Sequence, residues 1–152
     1  MSESAGFVGR RSERQILDEQ LAAARTGSPR VVFVEGDAGS GKSTLLTRFL
    51  SSLSGDATIL EASGDEAETL LAYGVVDQLR PATPAEPGMD PMAVGGELLD
   101  LLDRLQSDGR VVVLAIDDLQ WADRPSLRAV LFVLRRLRAD SVLTVVSTRS
   151  GW

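Results

Sequence analysis

The segment Gly36-Asp-Ala-Gly-Ser-Gly41-Lys42-Ser43 constrains the fold more than any other stretch of this chain, because of what stands on either side of it. Before it, Arg30-Val-Val-Phe-Val-Glu35 is a short apolar, β-branched run bounded by Pro29 and Gly36, which predicts a strand buried on both faces. After it, Leu45, Leu46, Phe49, Leu50 and Leu53 recur at helical spacing, which predicts a helix over 42–53. Ahead of the strand, Ile16, Leu17, Gln20, Leu21 and Ala24 predict a helix over 11–25, stopped by Thr26-Gly27-Ser28-Pro29. The order is helix, strand, glycine-rich loop, helix.

The remaining segments extend this alternation. Ala57-Thr-Ile-Leu-Glu61 reads as a second strand, and a weaker helical pattern covers 66–79. Residues 81–96 hold four prolines and three glycines and read as a surface loop. Glu97–Gln106 carries Leu98, Leu101, Leu102 and Leu105 on one helical face. Val111-Val-Val-Leu-Ala-Ile116 is the strongest strand signal, and Ser141–Ser147 is the last. Between them Asp123-Arg-Pro125 starts a helix whose core stripe is read as Leu127, Val130, Leu131, Leu134 and Leu137. Continuously apolar strands alternating with helices imply an α/β fold, a mostly parallel sheet with helices on both faces. The length suggests a single domain over 1–152, with a nucleotide-binding core over 30–150.

Gly36–Ser43 matches the pattern G-x-x-x-x-G-K-[ST] of a phosphate-binding loop, in the strand-to-helix context its mechanism requires. Glycines let successive backbone N–H groups turn toward an anion, and the following helix points its positive end at the same place. The expected nucleotide contacts are Gly36, Asp37, Ala38, Gly39, Ser40, Gly41, Lys42, Ser43 and Thr44. Lys42 is placed to reach the β- and γ-phosphates, and the Ser43 hydroxyl to bind Mg²⁺. About 75 residues later the apolar run 111–116 ends in Asp117-Asp118, the form of a Walker B strand. Asp117 is then the Mg²⁺-associated acid. Asp118 is the candidate to orient or deprotonate an attacking water, although aspartate also starts turns. Arg149, just past the last strand, reads either as a γ-phosphate sensor or as a solvated strand end.

Composition narrows the chemistry. The chain has no histidine and no cysteine, which excludes a Ser-His-Asp triad, a thiolate nucleophile, a disulfide framework and a zinc site built on imidazole or sulfur. Of its 16 basic residues only Lys42 is lysine, and it stands where a triphosphate needs a compact point charge rather than a planar fork. A guanine-reading N-K-x-D motif would need a second lysine, so ATP is favoured over GTP. The net charge of −6 argues against direct DNA binding by this segment. Arg128, Arg135, Arg136 and Arg138 read as a solvated helix face, and Trp121 and Tyr73 as packing residues. With no signal peptide and no membrane-length apolar run, a cytoplasmic location without membrane contact is expected.

These residues together resemble the AAA-type and STAND ATPases at the front of large bacterial regulators, including the large ATP-binding regulators of the LuxR type and their Orc1-like AAA domain. The matching features are Phe7-Val-Gly-Arg10, the phosphate loop, Val-Leu-Ala-Ile-Asp-Asp-Leu-Gln-Trp-Ala-Asp123, Pro125-Ser-Leu and Ser-Thr-Arg149. The resemblance implies a three-layer P-loop NTPase binding ATP·Mg²⁺, with Val8, Gly9 and Arg10 against the adenine and Arg149 as the first sensor arginine. Many AAA ATPases carry glutamate where Asp118 stands, so slow or conditional hydrolysis is expected. The family continues past its sensor strand into a fifth strand beside Val31–Val34, a helical lid and further domains. The resemblance therefore implies the N-terminal piece of a larger regulator, lacking the lid and C-terminal domains.

Three functions follow. The first is a nucleotide-controlled switch, exchanging ATP and ADP, that alters self-association or contacts with the remainder of a transcriptional regulator. The second is a non-catalytic ATP-binding module. The third is a small-molecule kinase, disfavoured because the loop over 81–96 carries no basic residue to close over phosphates.

Overall fold

The computed structural model describes residues 6–53 and 55–151, the side chains of residues 6–11 excepted. In chain order the elements are α1 (Gly6–Arg25), β1 (Arg30–Gly36), α2 (Lys42–Ser51), β2 (Ala57–Ser63), α3 (Gly74–Leu79), α4 (Pro91–Leu105), β3 (Val111–Asp117), α5 (Arg124–Leu134) and β4 (Val142–Arg149). Short 3₁₀ turns at Glu66–Glu68 and Leu119–Trp121 follow β2 and β3. The four strands form one parallel sheet in the order β1-β4-β3-β2. Its layers are those of an α/β sandwich, with helices on both faces.

The apolar run of β3 explains the layering. Because strand side chains alternate, Val112, Leu114 and Ile116 enter one core with residues of α3, α4 and α5, while Val111, Val113 and Ala115 enter another with residues of α1 and α2. β4 does the same with Val142 and Val146 on one side and Leu143 and Val145 on the other. β1 departs from the expectation of burial on both faces. It is an edge strand, and while Val34 is buried, Val31 and Phe33 are 43% and 59% exposed. The reason is that α3, α4 and α5 pack across β2, β3 and β4 and leave that face of β1 bare.

Four further expectations shift. The first helix begins at Gly6 rather than residue 11, so the backbone of Val8, Gly9 and Arg10 is helical and the side chains of these residues lie outside those described. No proline interrupts that stretch, and interior glycine costs only about 1 kcal/mol relative to alanine. The helical pattern over 66–79 splits in two at Tyr73, which takes a left-handed backbone (φ 64°). The loop over 81–96 ends early, because Pro91 is the first residue of α4 and the Asp90 side chain accepts from the Met92 N–H. Of the two glycines inside α4, Gly95 is a packing device, since a Cβ there would stand 2.7 Å from Phe132 and 3.0 Å from the Ala129 carbonyl of α5, whereas Gly96 faces open space. Finally, α5 buries Ser126, Ala129, Val130 and Val133; of the expected stripe Leu127, Leu134 and Leu137 also pack, partly buried, against this core, while Leu131 is 57% exposed.

Candidate functional site

The carboxyl ends of β1, β3 and β4 meet above the start of α2, and there they enclose a cavity of about 430 Å³. It is lined by Ala38, Gly39, Gly41, Lys42, Ser43, Thr44, Asp118, Gln120, Trp121 and Arg149. The parallel register produces this convergence: β1 pairs with β4 so that Gly36 lies opposite Arg149, and β3 ends one residue before Asp118. Ser150 closes the corner by donating its N–H to the Gly36 carbonyl.

The loop from Gly36 to Gly41 is shaped by its glycines at two points. Gly41 immediately precedes α2 in a left-handed conformation (φ 91°), open to glycine without steric cost. At Gly36 a Cβ would collide with the Ser40 side chain. The N-terminal N–H groups of a helix lack intrahelical acceptors and attract anions, and α2 presents that end to the cavity. Lys42 is 7% exposed, and its Nζ donates to the Asp37 carbonyl at 3.3 Å across the loop.

Opposite the loop, the end of β3 presents two aspartates in different settings. The Ser43 hydroxyl donates to Asp117 Oδ2 at 2.7 Å, tying α2 to β3. A hydroxyl and a carboxylate side by side are hard oxygen donors of the kind magnesium takes together with waters and phosphate oxygens. Among the described residues no cluster of three or more acidic, histidine or cysteine side chains could hold a metal, so a cation here would complete its shell from such outside oxygens. Ser147, fully buried on β4, donates its hydroxyl to Asp117 Oδ1 and accepts from the Asp118 N–H at 2.8 Å. Asp118 adopts a left-handed backbone (φ 54°, ψ 52°), an uncommon conformation for a residue with a Cβ. Its carboxylate faces the cavity and accepts from Gln120 Nε2 at 3.2 Å.

Gln120 and Arg149 complete the wall. Gln120 Oε1 accepts from the Arg149 N–H at 3.1 Å, and the Arg149 guanidinium lies 5.5 Å from the centre of the Trp121 ring. Trp121 is thus a wall residue paired with a cation, not only a packing residue. Tyr73 is buried, as expected, and its hydroxyl donates to the Met89 carbonyl.

At the end of the same block, Asp123 performs a task that its reading as a helix start covers only in part. Its carboxylate, 2% exposed, caps α5 by accepting from the Ser126 N–H at 2.9 Å. The same carboxylate accepts from the Tyr73 N–H at 2.7 Å and the Val75 N–H at 3.2 Å, at the start of α3. The structure therefore brings Gly39, Gly41, Lys42, Ser43, Thr44, Ala38, Asp118 and Arg149 to one cavity, with Gly36, Asp37 and Ser40 in the loop and Asp117 joined through Ser43. Sequence reasoning missed Gln120 and Ser147. Their signal was position alone, two residues from Asp118 and from Arg149.

Comparison with known proteins agrees with this geometry. The model of the AAA ATPase domain matches residues 6–146. Among solved structures, the ORC2 protein of Aeropyrum pernix, determined as ADPNP–ADP complexes, is similar with a TM-score of 0.64 at 18% identity, over 92% of this chain and 41% of that one. Caenorhabditis elegans PCH-2 gives a TM-score of 0.57 at 15% identity, over 92% and 37% respectively. The Drosophila ORC complex bound to GC-rich DNA and Cdc6 gives 0.53 at 12%, over 99% of this chain and 55% of its counterpart. No curated protein sequence matches the chain. At these identities the solved structures speak for a shared P-loop NTPase fold, and this chain spans only 37–55% of their lengths. The match over residues 6–146, on a parallel sheet that brings phosphate loop and Asp118 to one cavity and ties Asp117 to it through Ser43, shows that the chain belongs to the AAA ATPase domain family.

Proposed function

We propose that this domain binds ATP·Mg²⁺ and acts as a nucleotide-dependent switch within a bacterial transcriptional regulator of the LuxR type, hydrolysing ATP slowly or conditionally. The observation that carries the reading is the hydrogen bond to Asp117 from the hydroxyl of Ser43, which lines with Lys42 a cavity of about 430 Å³. In this reading Gly36 to Thr44 hold the phosphates and Lys42 neutralises them. Ser43 and Asp117 hold the cation, which supplies charge neutralisation at the phosphates when bound. Asp118 orients water, and Arg149 reaches the terminal phosphate. The adenine side falls to Val8, Gly9 and Arg10.

Slow hydrolysis follows from the residues in hand. Asp118 is shorter than the glutamate of many relatives, and much of the transition-state charge in phosphoryl transfer is neutralised by additional arginines. The role in a regulator rests on the resemblance carried by the D-D-L-Q-W-A-D block. A cytoplasmic location belongs with that role. Among the described residues no helix is long and apolar enough to cross a membrane.

Calorimetric titration tests the core of this reading. ATP·Mg²⁺ should bind with one site per chain and more tightly than GTP, and Lys42→Ala should remove the binding. Identical titrations for wild type and Lys42→Ala would overturn it.

A further inference from the structure

The geometry points to Gln120 as a positioning residue for Asp118, a role that rests on the ATP-binding reading above and adds to it. The Asp118 backbone is fixed. Its left-handed φ and ψ set the direction of the Cα–Cβ bond, and its N–H is held by the buried Ser147 hydroxyl. What remains free is rotation of the side chain. Among the described residues, Gln120 is the side chain that donates to that carboxylate.

Gln120 is itself anchored. Its carbonyl oxygen accepts the Arg149 N–H, so one amide spans from the end of β3 to the end of β4. The arrangement needs one donor and one acceptor on the same side-chain terminus, which only an amide of this length supplies here. Glutamate offers no donor and would set a second negative charge beside Asp118. Methionine keeps the length and offers neither bond. The residue read as orienting water and the residue read as sensing phosphate are thus joined through a single side chain. Misplacement of a catalytic group by about 1 Å costs on the order of 10²-fold in rate, so the orientation of the Asp118 carboxylate is worth fixing.

The test combines two readouts on the full chain. In ¹H–¹⁵N spectra, the side-chain amide pair of Gln120, identified by its disappearance in Gln120→Met, should shift in Asp118→Ala; an unmoved pair overturns the proposal. In single-turnover hydrolysis of radiolabelled ATP with protein in excess, Gln120→Met and Gln120→Glu should be slowed at least tenfold while their Kd for ATP·Mg²⁺ stays within twofold of wild type. Wild-type rates in both variants, or weakened binding with unchanged rate, would also overturn it. If the wild type fails to bind ATP, it is the nucleotide reading that fails, and the spectral readout still decides whether Gln120 holds Asp118. If the wild type binds ATP but its turnover is below detection, the nucleotide reading stands and the spectral readout alone decides.

Discussion

Two aspartates five residues apart, Asp118 and Asp123, bracket the same short block and are used in opposite ways. Asp118 borders the cavity, stands on a strained left-handed backbone, and has one side-chain donor on its carboxylate. Asp123 is buried and spends its carboxylate on three backbone N–H groups from the starts of two helices. The first borders open space at the expense of local conformational energy, and the second is sealed from it and holds α3 against α5. Acidic residues in one motif therefore divide into one that borders the cavity and one that holds the architecture, and the two differ in how many donors the fold brings to each.

That contrast makes graded predictions. The largest effect is expected at Asp123: Asp123→Ala strands three buried N–H groups and should cost about 3–5 kcal/mol of unfolding free energy. Urea denaturation measures it, and a loss below about 1 kcal/mol would erase the contrast. Next, Lys42→Ala should weaken ATP binding at least about 100-fold, roughly 3 kcal/mol, with little change in the urea midpoint. Asp118→Gly should show the reverse of Asp123→Ala: hydrolysis is lost, while relief of the positive φ leaves stability unchanged or raised by up to about 1 kcal/mol. A destabilisation as large as that of Asp123→Ala would show that both aspartates are architectural.

The smallest effect concerns Tyr73, whose backbone N–H is one of the Asp123 donors. Burial, then the negative charges of Asp90 and Asp123, raise its phenol above the ordinary value of 10.0. Above about pH 10 the unfolded chain therefore loses this proton more readily than the folded one, so its contribution to stability is present below that pH and declines as pH rises through the raised folded value. Tyr73→Phe should flatten this alkaline decline in thermal melts between about pH 9 and 11 while leaving the neutral-pH slope intact. An alkaline limb identical in wild type and variant would place the loss elsewhere.

Much of this was legible in the sequence, and what was not has identifiable physical causes. The strands of residues 111–117 and 142–149 were visible because burial demands apolar side chains at successive positions, while that of residues 30–36 is as apolar with one face bare. The phosphate loop was visible because its backbone requires glycines at fixed spacing and its anion requires an amine. The misreadings came where one residue type serves two purposes. Gly95 and Gly96 resembled loop residues, yet Gly95 is small so that α5 can approach. The pattern over 66–79 was broken not by proline but by Tyr73, whose left-handed conformation accompanies the bond from its N–H to Asp123, 50 residues away. Gln120 and Ser147 were silent because an amide and a hydroxyl acquire meaning only from the partners a fold supplies. Leu131 was placed on the wrong side because one residue of helix advances about 100° around its axis.

The strand order also sets a timetable for folding. β4 lies between β1 and β3, and its register joins Arg30 to Leu143 and Gly36 to Arg149. Until residues 142–149 emerge from the ribosome, β1 has no neighbour in the sheet, while β2 and β3 can already pair with each other. Contacts separated by more than a hundred residues carry a high loop-closure entropy and form late. The phosphate loop, encoded early, thus waits for β4 to join β1 to the sheet and set Arg149 opposite Gly36, and nascent chains should acquire affinity for nucleotide abruptly rather than by degrees.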